Sequence, residues 1–280
     1  MRHLSLALLA LCVAGCFRLD PFLYGPERTE AYEFDLEGND PGEAITADRL
    51  EELRLVVNDQ VTLGAVYVHA NEAPPRAYGL FFHGKGDHLG GQLERAKRLA
   101  NLGYDVLAID YRGFGVSSDV APSEAGVAED TAAALAYLVE RAGGSDRIFY
   151  YGHSWGTAVA TQRARENPPR VLILESGFAS IEQIKTDSSL LDFPDDYIAD
   201  DGWPTTTWIS EVHDVPVLLM HGLEDDFVRP EFSDLLIASA NDPKKLIKVP
   251  GADHGSIPRV MGEEFRTVIH QWVEQRIQVP

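Results

Sequence analysis

Cysteine is nearly missing from this chain: Cys12 and Cys16 are the only two, and both lie at the very start. No disulfide framework can be built from them, and no His or Cys cluster has the spacing of a metal site. The fold must therefore rest on its apolar core. Basic residues are scarce as well, 24 Lys and Arg against 44 Asp and Glu, for a net charge of −20. That balance argues against a nucleic-acid partner and against electrostatic docking on anionic lipid. It reads as a solvated, self-repelling surface. Internal repeats and low-complexity tracts are absent. What the chain does have is apolar material, 45% of 280 residues, which suits one large α/β domain better than two small ones.

The N-terminus reads as a targeting segment. Met1-Arg2-His3 is a short positive start, and Leu4 to Gly15 is an apolar run of signal-peptide length, too short to cross a bilayer as a helix. It ends in Val13-Ala14-Gly15-Cys16, which resembles a bacterial lipoprotein lipobox. The resemblance implies a signal peptide over 1–15 and lipid on the sulfur of Cys16. It also implies a membrane partner through that lipid and a location in the bacterial cell envelope, with the domain outside the cytoplasm. Phe17 follows in place of Asp, which favours the outer membrane in a Gram-negative cell. Residues 16–49 are expected to form the lipidated start and a tether, and 50–280 the domain.

Within the domain, short β-rich runs alternate with amphipathic stretches. Leu53 to Val57 and Val61 to His69 flank Asn58-Asp59-Gln60, a hairpin signal. Further strands are expected at Tyr78 to Phe82, Val106 to Ile109, Ile148 to Tyr151, Val171 to Leu174, Val215 to Met220 and Leu246 to Val249. Helices are expected over Leu89 to Ala100, after the N-cap Ser123, over Thr157 to Glu166, over Glu231 to Ala240, and around Phe265, Ile269, Trp272 and Val273. The alternation implies a mostly parallel sheet with helices on both faces. Residues 176–213 interrupt it with many Asp, Pro and Trp, and read as a small cap. Sites in such sheets gather beyond the carboxyl ends of the strands.

The chemistry is carried first by Gly152-His153-Ser154-Trp155-Gly156, a G-x-S-x-G between a strand and a helix. This is the form of a nucleophile elbow, whose glycines let the chain turn sharply and expose the serine hydroxyl. A serine nucleophile needs a base and a group that orients the base. His254, in Pro250-Gly251-Ala252-Asp253-His254-Gly255 after the last strand, is the candidate base. His221, His213 and His270 read as structural or solvated. Asp225, in the loop after His221-Gly222, is the candidate orienting acid, with Glu175 at the end of the preceding strand as its rival. The oxyanion hole needs two backbone N–H groups. Trp155 supplies one candidate; Lys85, in His83-Gly84-Lys85-Gly86, supplies the other, with Gly84 second.

Those motifs, together with Asp110-Tyr111-Arg112-Gly113-Phe114-Gly115-Val116-Ser117, resemble the α/β-hydrolase superfamily over roughly residues 50–278. The likeness is to its small-lid, lipase-like and serine-aminopeptidase-like branch. It implies an α/β-hydrolase fold, the chain order Ser154, Asp225, His254, and no metal or organic cofactor. The expected activity is hydrolysis of an ester-like acyl bond in a small-molecule substrate. A peptidase or amidase sharing the same residues, with acids such as Asp187, Asp192, Asp195, Asp196, Asp200 and Asp201 in the cap, stays open. So does a non-catalytic binding module on the same scaffold. Oligomeric state is not legible.

Overall fold

The computed structural model describes residues 24–182 and 202–277. Eight strands form one sheet: β1 (Leu50–Val56), β2 (Thr62–Val68), β3 (Ala77–Phe82), β4 (Tyr104–Ile109), β5 (Ile148–His153), β6 (Leu172–Glu175), β7 (Val217–Gly222) and β8 (Lys244–Val249). Their spatial order is β1-β2-β4-β3-β5-β6-β7-β8. The first hairpin is antiparallel, β2 runs antiparallel to β4, and every later pairing is parallel. Asn58 closes the hairpin by accepting the Gln60 and Val61 N–H groups.

The helices are α1 (Leu89–Gln92), α2 (Glu94–Asn101), α3 (Glu124–Ala142), α4 (Trp155–Glu166), α5 (Thr205–Ser210), α6 (Glu231–Ser239), α7 (Ile257–Met261) and α8 (Glu263–Glu274). Successive strand residues point to opposite faces. Leu80, Phe82, Tyr150, Leu172, Leu174 and Leu219 therefore enter one apolar core with α3, α4, α5 and α6. Phe81, Tyr151, Ile173, Leu218 and Met220 enter the other with α2, α7 and α8. Because both faces are covered, the central strands read as unbroken apolar runs. Ser123 caps α3 through the Gly126 N–H, and Gly143, at φ 73°, ends it.

Several expectations need correction. The helix expected over Leu89 to Ala100 is two helices broken at Leu93, because Gln92 turns back to the loop at Gly84. The elbow helix begins at Trp155, two residues earlier than its periodicity suggests. The larger correction concerns the tether. Residues 24–49 lie against the domain: Tyr24, Tyr32 and Ile45 are buried, and Glu43 is buried in an ion pair with Arg98. Aromatic and apolar side chains this deeply placed contribute packing that a solvated linker lacks. Of the expected cap, residues 183–201 lie outside the described residues. Its described end is core, with Trp203 fully buried and Trp208 packed beside it.

Candidate active site

The site forms at the carboxyl ends of β3, β5, β6, β7 and β8. At the end of β5 the chain reverses into α4 through Ser154, which has φ 55° and ψ −124°. A non-glycine residue at positive φ is strained, and here the strain lifts the hydroxyl above the sheet. The flanking glycines are obligatory by contact. A Cβ on Gly156 would come within 2.0 Å of the Phe82 carbonyl oxygen, and one on Gly152 within 2.4 Å of the Gly156 oxygen.

Ser154, His254 and Asp225 come together although they are far apart in the chain. His254 Nε2 lies 2.9 Å from Ser154 Oγ, and His254 Nδ1 lies 2.8 Å from Asp225 Oδ2. With Nδ1 facing a carboxylate, Nδ1 carries the proton and Nε2 is the acceptor for the serine hydroxyl. Two loops are pressed together to achieve this: Gly222 passes so close that a Cβ there would meet the Ala252 oxygen at 2.1 Å. The Glu224 N–H donates to the same oxygen at 3.0 Å.

Asp225 is buried and has four donors. Phe227 and Val228 N–H groups reach Oδ1 at 3.0 and 2.8 Å, while His254 and His221 reach Oδ2, the latter at 3.1 Å. Burial alone would raise its pKa, but the hydrogen bonds from His221 and His254 outweigh it and hold the carboxyl well below the usual carboxylate range. His221 Nε2 also donates to the Val228 carbonyl, and Ser233 meets its Nδ1. It thus ends β7 as a structural histidine and also braces the acid. That second contact had no signal in the sequence beyond proximity to Asp225.

Glu175, the rival acid, has other partners. Arg95 grips it with two hydrogen bonds of 2.9 and 2.7 Å, and Tyr151 donates to it as well. Burial disfavours the Arg95 charge, yet Glu175 outweighs burial and raises the guanidinium pKa. Arg95 donates onward to the Gly255 carbonyl at 3.1 Å, and His153 and Ser176 meet the His254 carbonyl at 3.1 and 3.2 Å. His254 is therefore pinned through its backbone by groups beneath it. Arg95 was not recognisable from sequence, since a helix arginine normally points to solvent. His213 is exposed beside Asn241, and His270 bonds Tyr104 and Glu274 on α8.

The oxyanion candidates flank Ser154. Trp155 is the first residue of α4, so its N–H has no acceptor within the helix. Its ring is caged by Tyr24, Tyr111, Phe114 and Trp203 at centroid distances of 5.2, 4.9, 6.1 and 5.2 Å. On the other side, Gly84 approaches so closely that a Cβ would lie 3.2 Å from Ser154 Cβ. The Gly84 N–H is already committed to Gln92 Oε1 at 3.0 Å, while Gln92 Nε2 returns to the Gly84 carbonyl at 3.2 Å. Lys85 is the next residue of the same loop. Burial pushes the Lys85 ammonium pKa down. Cys16 and the cap acids fall outside the described residues. No helix among the described residues is long and apolar enough to cross a membrane.

Residues 73–192 match the sequence model of the family described as Hydrolase_4: serine aminopeptidase, S33. An uncharacterized protein of Mycobacterium tuberculosis is 30% identical over 273 residues, covering 96% of this chain and 94% of the relative. A shorter match, 40% identical over 111 residues, covers 37% of this chain and 29% of the lysophosphatidylserine lipase ABHD12 of Gallus gallus. Among solved structures, the Pyrococcus furiosus esterase Pf2001 superposes with a TM-score of 0.70 at 17% identity, covering 91% of this chain and 97% of that one. Sequence family, near full-length relative and fold agree: the chain belongs to the serine hydrolases of the α/β-hydrolase family.

Proposed function

We propose that the protein hydrolyses carboxylic esters through Ser154, His254 and Asp225. One observation carries this reading: the continuous contact from Ser154 Oγ through both ring nitrogens of His254 to a buried, ionised Asp225. His254 Nε2 takes the hydroxyl proton as Ser154 Oγ attacks the acyl carbonyl. The carbonyl oxygen becomes an oxyanion between the Trp155 and Lys85 amides. Collapse breaks the ester bond, the alcohol leaves with the proton from His254, and an acyl-enzyme remains. Water, deprotonated by His254, then releases the acid and restores Ser154. Asp225 holds the imidazole tautomer and stabilises the imidazolium. The activities of the similar lipase and of the esterase of like fold support an ester substrate.

Mass spectrometry after treatment with a fluorophosphonate should find the adduct on Ser154, and Ser154→Ala should remove nearly all turnover. An active wild type labelled at another residue would overturn the assignment. A second reading, amide or peptide hydrolysis, is favoured by the description of the matched family as a serine aminopeptidase. A parallel panel of ester, thioester and aminoacyl substrates separates the two. We further propose that Cys16 carries lipid and anchors the domain in the bacterial cell envelope, outside the cytoplasm, on the strength of Val13-Ala14-Gly15-Cys16. Cys16→Ser should then release soluble protein or leave the precursor unprocessed. Unchanged anchoring and processing would remove the proposal.

A further inference from the structure

The segment expected to be a tether touches both sides of the oxyanion site. We infer that residues 24–45 form a positioning arm for that site, with Tyr32 acting through Asp110, α1 and Gln92 on the loop that carries the Lys85 amide. This inference rests on the serine hydrolase reading above.

The connection is continuous and buried. The Tyr32 hydroxyl donates to Asp110 Oδ2 at 2.5 Å. The other carboxylate oxygen, Oδ1, accepts the Leu89 N–H at 3.0 Å and lies 3.2 Å from His83 Nε2. Leu89 is the first residue of α1, and Gln92 is its last. Gln92 holds Gly84 by both its N–H and its carbonyl, and Gly84 lies against Ser154. A shift of Asp110 is therefore passed to α1, then to Gln92, then to the 83–87 loop. On the far side, the Tyr24 ring packs edge-on to Trp155, and its hydroxyl accepts from Trp203 Nε1 at 3.2 Å. The arm thus braces the residue that supplies one candidate donor and the loop that supplies the other.

Two glycines make the Tyr32 contact possible. A Cβ on Gly64 would meet the Tyr32 hydroxyl oxygen at 2.4 Å, and one on Gly115 would meet Asp110 Oδ2 at 1.9 Å. Gly115 also has φ 48° and pairs through its carbonyl with Thr29 of the arm at 3.1 Å. Burial and the Asp110 charge raise the Tyr32 pKa, so its hydroxyl stays a donor. An arm held only by apolar packing needs no such aligned donor, acceptor and clearance.

The test uses the full chain and two variants, Tyr32→Phe and Gly64→Ala. The first removes only the hydroxyl; the second changes no residue of the arm but places a methyl against that hydroxyl and against Val116. The readouts are kcat and KM for an ester, and the affinity of an aryl trifluoromethyl ketone, which adds to the serine and places an oxyanion in the hole. Each variant should lower kcat by about tenfold, leave KM near wild type, and weaken the ketone by a matching factor. Should one variant fail to fold, the other decides. Folded variants with wild-type kcat and ketone affinity, or a kcat loss without a matching ketone loss, would overturn the inference and reduce the arm to packing. A wild type that neither hydrolyses esters nor binds the ketone would overturn the hydrolase reading itself, and this inference with it.

Discussion

Glu175 ends β6 and Asp225 follows the neighbouring parallel strand β7, and both carboxylates are buried at the same edge of the sheet. Their partners separate them. Glu175 faces a permanent cation, Arg95, and a phenol, and its hydrogen bonds close a static network under the base. Asp225 faces two imidazoles and two backbone amides, with no arginine or lysine paired to it among the described residues. An arginine stays charged, so a carboxylate locked to it has its own charge already compensated. A carboxylate on His254 Nδ1 stabilises whatever charge that ring acquires. Neighbouring strand ends thus carry an arginine-locked carboxylate in one case and a carboxylate facing the His254 ring in the other.

The sharpest way to break this comparison is to neutralise each acid in turn. Asp225→Asn should lower kcat by about 10⁴, as loss of the orienting acid does in a serine protease, with the fold and fluorophosphonate access retained. Glu175→Gln should act chiefly on stability. It removes the fully buried carboxylate from Arg95 and leaves only Glu94, 3.8 Å away, to face that charge, a change that destabilises by up to about 3–5 kcal/mol, read as a lowered Tm and denaturant midpoint. Some loss of kcat is expected because Arg95 also holds Gly255, but far less than for Asp225→Asn. A folded, inactive glutamine variant beside an asparagine variant that keeps most of its kcat would reverse the two roles.

The smallest effect expected concerns His153, which lies between the two regions, its ring centroid 5.1 Å from that of His254. Burial, with the charges of Arg95 and His254, holds its pKa well below the ordinary value, against a weaker pull from Asp225. The unfolded chain protonates a histidine near pH ~6.5, whereas the folded protein refuses that proton. The stability contribution is therefore complete above about pH 6.5 and is lost on acidification toward the folded pKa, by about 1.4 kcal/mol per pH unit for one proton. Thermal melts from about pH 7.5 to about pH 5 should show the decline, and His153→Asn should flatten it. His270, lowered mainly by burial, leaves a residual slope of the same sign. An unchanged slope in the variant would assign the effect to other groups.

The eight strands, the hairpin, the Ser123 cap and the elbow were legible because each depends on nearby residues: apolar runs, turn formers and glycines at fixed offsets. So was the chain order of Ser154, Asp225 and His254, which the fold brings into contact. The arm was misread for a physical reason. Pro21, Gly25 and Pro26 mark irregular backbone, and irregular backbone looks like a linker whether or not its side chains are buried. Nothing local says that Tyr24 will enter a cage of three other aromatic partners around Trp155.

By itself, then, the sequence determined the class of fold, the strained serine turn and the types of side chain that make a hydrolase site, since these follow from backbone preference and hydrophobic period. Only the tertiary structure decided which groups meet. Tyr32 and Asp110 are 78 residues apart, and Arg95 and Glu175 are 80 apart. Such pairings carry no local pattern. They arise because a buried donor or charge is costly unless a partner is delivered to it, and only the packing of the whole sheet and its helices determines which partner arrives.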